Sequence, residues 1–223
     1  MDKRVLITGT SKGIGLALTA KFLENGYKVF GTCRTGKIHE IENDNFESFA
    51  LDLSNLDNIK QFEKHFKDKN LTIDILINNA GVGPDLDFEQ PEENTFKQTF
   101  DVNVIGATFF TETVLKYVNK GGKIINISSK MGSIDLCDLT DSVAYRMSKA
   151  AINMYTKILT NRLVGKQFVA SVHPGWVRTT IAKSNINGRL STEESATKIF
   201  NFVLSDFKTG IFWNVETQTE CKW

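Results

Sequence analysis

The chain has 223 residues, 41% of them apolar and only three of them proline, so it can bury a large core, and no linker tract divides it: one domain spanning 1–223 is expected. Its 27 basic and 26 acidic residues leave a formal charge of +1, mixed along the chain without basic blocks, so nucleic acid is not an expected partner. Three dispersed cysteines and three dispersed histidines exclude a zinc or disulfide framework, and with no membrane-length apolar run and no signal-like start over Met1 to Gly9, a soluble cytoplasmic protein is expected.

Short β-rich runs alternate with longer segments of helical period. The spacing predicts strands at 4–7, 28–32, 48–51, 73–78, 123–127, 168–173 and 210–213. It predicts helices at 13–25, 56–69, 92–117, 144–163 and 192–204, with room for only a short helix after Arg34. The strands are near-continuous apolar runs, as in sheets covered on both faces. Seven of them joined by crossover helices imply a doubly wound, seven-stranded parallel sheet.

The first strand runs into Thr8-Gly9-Thr10-Ser11-Lys12-Gly13-Ile14-Gly15, which opens the first helix. Glycines there let the backbone approach a pyrophosphate at the positive helix end. The spacing, Gly-x-x-x-Gly-x-Gly, departs from Gly-x-Gly-x-x-Gly. Gly9 to Gly13 also matches the Gly-x-Ser-x-Gly elbow of hydrolases, but that elbow needs an oxyanion loop from an earlier strand, and only ten residues precede Ser11.

An NAD site places a carboxylate about 20 residues past the glycines, whereas an arginine there accommodates a 2′-phosphate. This chain has Arg34, and no acid between Glu24 and Glu40. Lys12 and Arg34 could converge on one phosphate dianion, which predicts NADP(H) over NAD(H).

Tyr145 and Lys149 share a helix face at i and i+4. An ammonium about 5 Å from a phenol, at an effective dielectric of about 20, is worth roughly 3 kcal/mol, or about two units off a tyrosine pKa near ~10. Tyr145 is therefore expected to exchange protons near neutrality. Such a pair is common by chance, and its weight comes from the order of the other motifs.

Those motifs together resemble the short-chain dehydrogenase/reductase family over nearly the whole chain: Thr8 to Gly15, Asp52-Leu53, Asn78-Asn79-Ala80-Gly81, Asn103, Ser128-Ser129, Tyr145 to Lys149 and Pro174-Gly175-Trp176-Val177-Arg178-Thr179. The short length and the His173-Pro174-Gly175-Trp176-Val177 wording look most like the branch with C-factor-type and sniffer-type carbonyl reductases. The resemblance implies a single-domain Rossmann fold that binds NADP(H) and transfers hydride between it and a small carbonyl or alcohol substrate. It implies that Gly9, Ser11, Lys12, Gly13, Ile14, Gly15 and Arg34 hold the phosphates, and that Asp52 and Leu53 meet the adenine. Asn79, Ala80 and Gly81 would pass under the ribose, and Pro174, Val177 and Thr179 would hold the nicotinamide. Tyr145 would be general acid and base, Lys149 would lower its pKa and bind the nicotinamide ribose, Ser129 would donate to the substrate oxygen, and Asn103 would hold a relay water.

Two departures stand out. Ser129 lies further before Tyr145 than is usual in the family, so the intervening loop, 135–141, is expected to bulge beside the pocket, and Ser128 stays open as the alternative hydroxyl. The polar segment 180–190 is the expected lid. A reductase of 3-oxoacyl thioesters or pteridines, and a non-catalytic NADP(H)-sensing protein, are the rival readings. The apolar residues spread around 144–163 predict a homodimer.

Overall fold

The computed structural model describes residues 3–223; Met1 and Asp2, the first residues of the start read above for a signal segment, lie outside it. The strands are β1 (Arg4–Thr8), β2 (Lys28–Cys33), β3 (Phe46–Ala50), β4 (Ile73–Asn78), β5 (Val118–Ile127), β6 (Phe168–His173), β7 (Ile211–Asn214) and β8 (Thr219–Glu220). The α-helices are α1 (Gly13–Glu24), α2 (Leu56–Asp68), α3 (Glu93–Phe100), α4 (Ala107–Val114), α5 (Val143–Arg162) and α6 (Thr192–Leu204). One sheet carries the order β3-β2-β1-β4-β5-β6-β7-β8. Seven strands are parallel as expected, and the two-residue β8 adds an antiparallel edge that its polar sequence did not announce.

Alternation along each strand feeds two cores. Val5 and Ile7 of β1 face α1 and α6, packing with Leu18, Phe22, Ile199 and Phe200, whereas Leu6 between them joins Phe62 and Phe66 of α2, Phe110 of α4 and Leu159 of α5. Phe22 and Phe200 meet edge to face at 4.9 Å, an arrangement worth about 0.5–1.5 kcal/mol beyond the area it buries.

Three sequence expectations fail locally. The single helix expected over 92–117 is α3 and α4 joined by a π-helical turn, Asp101–Gly106, that contains Asn103. A one-residue slip in helical pairing leaves the apolar period almost intact, so it is invisible to periodicity. No helix forms between Arg34 and β3; the chain turns through Gly36 (φ +71°), where a side chain would meet Ala50. The loop 135–141 does not line the cavity: Asp135 N–H and Ser133 Oγ–H both donate to the Trp223 carbonyl, turning the loop toward that end of the chain.

The strand order reverses between β1 and β4, and at the carboxyl ends of an open parallel sheet such a switch point leaves a crevice. A cavity of about 780 Å³ lies there.

Candidate active site

One end of the cavity is built from the turn after β1. Gly9 has φ +72°, and a Cβ on it would stand 2.9 Å from Ala80 Cα; one on Gly15 would stand 2.1 Å from the Gly9 carbonyl oxygen. Lys12, at the N-cap of α1, is extended and makes no side-chain cap, so the first amides of α1 are left to a ligand. Asn79 proves to be a brace: its Nδ2 donates to Thr8 and Gly9 carbonyl oxygens at 2.9 and 3.1 Å, while Thr8 Oγ1 accepts the Asn79 and Ala80 amides at 3.0 Å. β1 and β4 are thus tied at the switch point.

Arg34 and Lys12 are exposed and both line this end. Among the described residues neither forms an ion pair, and Lys12 Nζ donates to Thr180 Oγ1 at 3.1 Å. Asp52 lines the cavity and turns one carboxylate oxygen to the Ser54 amide and hydroxyl, at 2.9 and 2.7 Å, so the second oxygen is free for a ligand.

The middle of the cavity is set by α5. Tyr145 and Lys149 lie on its buried face at 9% and 6% exposure, with Lys149 Nζ 5.5 Å from the centre of the phenol ring. Lys149 Nζ donates to the Ile127 carbonyl at 2.9 Å, and burial pushes its pKa down to about 8. Tyr145 does not follow the expectation from its neighbouring cation. Burial, with the Asp85 carboxylate second, pushes it up to about 12, while Ser129 pulls weakly the other way by hydrogen bonding. Coulomb's law applied to the pair alone omitted desolvation, which opposes the charged form of both partners.

The two serines separate clearly. Ser128 is tied into the sheet, its amide donating to Val172 at 2.8 Å and its hydroxyl pointing at the Lys149 carbonyl at 3.4 Å. Ser129 caps the short turn Lys130–Gly132, accepting the Met131 amide at 3.1 Å, and it is the serine that meets the phenol.

Asn103 projects from the π-helical turn and its amide makes three bonds: Oδ1 accepts Val82 N–H at 2.8 Å, and Nδ2 donates to Val82 O at 2.8 Å and to Ser148 Oγ at 3.1 Å. The side chain thereby locks the segment after Gly81, since a buried amide must find hydrogen-bond partners. Gly81 fits where a Cβ would stand 3.2 Å from Asn103 Oδ1 and 3.5 Å from Lys149 Nζ.

Pro174, Val177 and Thr179 close the far wall. Val177 bridges Leu190, and Asn185 Nδ2 donates to Val177 O and Thr179 Oγ1, both at 3.1 Å, so the lid is pinned over that wall. Trp176 lines the cavity under the Arg189 guanidinium, which is itself paired with Glu216. His173, buried at the end of β6, also lines it, and burial pushes its pKa down to about 4. Sequence reasoning missed Asp85, which is 1% exposed and accepts the Tyr145 N–H at 3.1 Å. An acid in a Pro-Asp loop ordinarily signals an exposed turn.

A glycine turn at a helix start, a free arginine after β2, and a phenol, an ammonium and a serine hydroxyl around one crevice together define a dinucleotide-dependent oxidoreductase site. Comparison with known proteins agrees. The family model described as short chain dehydrogenase matches residues 3–189, and the chain belongs to that family. It is 34% identical over 185 residues to 3-amino-tetrahydro-pyrrolizinone reductase of Xenorhabdus hominickii, covering 80% of this chain and 63% of that protein's length. Among solved structures, the carbonyl reductase Sniffer of D. melanogaster superposes with a TM-score of 0.88 at 26% identity over 100% of both chains. The NADPH-bound carbonyl reductase from chicken fatty liver gives 0.87 at 27%, over 100% of this chain and 99% of that one.

Proposed function

We propose that this protein is an NADPH-dependent carbonyl reductase, an alcohol dehydrogenase in the reverse direction. The observation that carries the reading is that Tyr145, Lys149 and Ser129 line the same cavity as the glycine turn, Lys12 and Arg34. The cradle fits a dinucleotide because the first amides of α1 carry no side-chain cap and Gly13 beside them is open, while Gly9 and Gly15 let the turn pack tightly on Ala80 and on itself. Bound NADPH supplies the hydride. Lys12 and Arg34 hold the 2′-phosphate, Asp52 the adenine amino group, and Lys149 the ribose hydroxyls of the nicotinamide half.

Ser129 Oγ donates to the carbonyl oxygen as charge develops on it, and Tyr145 Oη delivers the proton that completes the alcohol. A phenol whose pKa stands near 12 is fully protonated at pH 7, which suits a proton donor. Asn103 serves this chemistry by holding the Val82 segment beside the phenol. A complete donor set of this kind supports turnover over a cofactor-sensing role. The test is NADPH oxidation against a panel of aldehydes, ketones and quinones: turnover on at least one is expected, and binding without turnover on any would favour the sensor.

Ser129→Ala is expected to lower kcat by about 10²-fold, in line with loss of one oxyanion donor, whereas Ser128→Ala keeps kcat within about threefold, since its hydroxyl makes only a long bond to the Lys149 carbonyl of α5. Steady-state kinetics with the best panel carbonyl checks this; a crippled Ser128→Ala beside an active Ser129→Ala would reverse the assignment.

We also read the protein as a cytoplasmic homodimer. No helix among the described residues is long and apolar enough to cross a membrane. Met147, Met154 and Ile158 form an exposed stripe on α5, Met154 at 62% exposure, and Ile105 of the π-helical turn and Phe109 of α4 are also exposed. Light scattering is expected to return twice the 25.0 kDa chain mass, and Met154→Glu to return one chain. A wild-type species of 25.0 kDa at high concentration would end the dimer reading.

A further inference from the structure

The helix that carries the proposed proton donor does not cap itself. Ser142 stands at its N-cap position but adopts φ +58°, and its side chain makes no cap hydrogen bond. Its hydroxyl accepts the Asp87 amide at 3.1 Å and its own amide donates to the Phe88 carbonyl at 2.8 Å, so it is committed to a neighbouring turn. The amide that an N-cap side chain ordinarily serves, three positions into the helix, is that of Tyr145. Asp85 Oδ2 serves it from 60 residues away at 3.1 Å, and Thr99 Oγ1 stands 3.5 Å from the other oxygen.

Asp85 belongs to a short segment gripped at both ends. Val82 is held twice by the Asn103 amide, and Asp87 Oδ1 accepts the Ser184 hydroxyl of the lid at 3.0 Å. Gly83 packs so closely that a Cβ there would stand 3.0 Å from Tyr145 Cδ2. A serine or asparagine could accept the same amide without burying a charge, and an isolated buried carboxylate is costly. The charge therefore asks for a reason beyond capping.

We propose that Asp85 is a positioning residue of the reaction assigned above: it fixes Tyr145 by accepting its helix amide, and it sets a carboxylate in the segment that packs on the phenol ring. This rests on the carbonyl reductase reading. The Coulomb contribution of Asp85 to Tyr145 is second only to burial in opposing phenolate. Other charged or titratable groups share the surroundings: Lys149 on the same helix, Lys130 after β5, His173 at the end of β6 and Arg189 of the lid line the cavity, while the Arg146–Asp141 pair lies at the start of α5 and Asp87 in the same turn. Of these, Asp85 is the carboxylate that touches the helix at Tyr145 itself.

The measurement is the pH profile of alcohol oxidation with NADP⁺, in which hydride passes to the cofactor and the alcohol proton to the phenolate. Below the phenol pKa that rate follows the phenolate fraction. Asp85→Asn keeps an acceptor for the Tyr145 amide and removes the charge, so its kcat/KM profile should move about one unit toward lower pH, raising oxidation at pH 8 several-fold. Asp85→Ser should move it the same way, and Glu89→Gln, an exposed carboxylate nearby, should leave it in place. A profile that only loses height, with its position kept, would overturn the proposal, as would collapse of both Asp85 variants, which would mark a general folding role. If the wild type reduces no carbonyl in the panel, the reductase reading fails separately; the placement is then tested by hydrogen exchange of the Tyr145 amide, expected to be faster in Asp85→Ala and, if unchanged, contradicting it.

Discussion

Tyr145→Phe should lower kcat for carbonyl reduction by about 10³-fold, within the range that a positioned general acid contributes, while NADPH affinity stays within about threefold. The substitution removes one oxygen from a ring that is 9% exposed and packed against Gly83 and Lys149, so the fold has little reason to change. The remaining phenyl still covers Lys149, and the phosphate turn lies on other elements. Without Oη the alkoxide has no proton donor in place, and Ser129 alone stabilises its charge. Stopped-flow NADPH oxidation and fluorescence titration of the cofactor separate the two quantities. Equal losses in affinity and kcat would mean that Tyr145 shapes the cofactor site and is not the donor.

Lys12→Ala and Arg34→Ala should each raise the KM for NADPH by roughly 10- to 100-fold, since hydrogen bonds to a charged group contribute about 1.5–3 kcal/mol, and the pair together should erase the preference over NADH. The KM for NADH should hardly move, because these side chains have no 2′-phosphate to grip there. Both cations are exposed, line one end of the cavity and form no ion pair among the described residues, so their removal strands no buried partner. Lys12 also bonds Thr180, so Lys12→Ala loosens the lid and affects kcat more than Arg34→Ala does. Equal use of NADPH and NADH by the unmodified protein would contradict the assignment.

Much of this was legible in residue patterns. Apolar runs of strand length separated by helical period point to the parallel sheet, and β4 and β6 match their expected bounds because a doubly covered strand is mostly apolar. The glycine turn and the Tyr145 to Lys149 spacing were readable because backbone room and side-chain reach are local properties. What escaped is long-range or energetic. Asn103 in the π-helical turn pairs with Val82, 21 residues away, and Asp85 reaches Tyr145 across 60 residues. The phenol's acidity was misjudged because burial depends on the whole crevice, whereas the i, i+4 spacing reports only the neighbouring lysine. Ser128 and Ser129 are indistinguishable by residue type, and only three-dimensional contacts separate them: the Ser128 amide bonds Val172 in the sheet while the Ser129 hydroxyl bonds the phenol.

The central claim, that phenol and serine meet the hydride-bearing ring in one crevice, is tested most directly by a crystal structure with NADP⁺ and a bound carbonyl compound. The account predicts Tyr145 Oη and Ser129 Oγ both within hydrogen-bond reach, about 2.6–3.2 Å, of the carbonyl oxygen, with the nicotinamide facing the carbonyl carbon. A carbonyl held elsewhere in the cavity, or a phenol turned away from the bound dinucleotide, would contradict it.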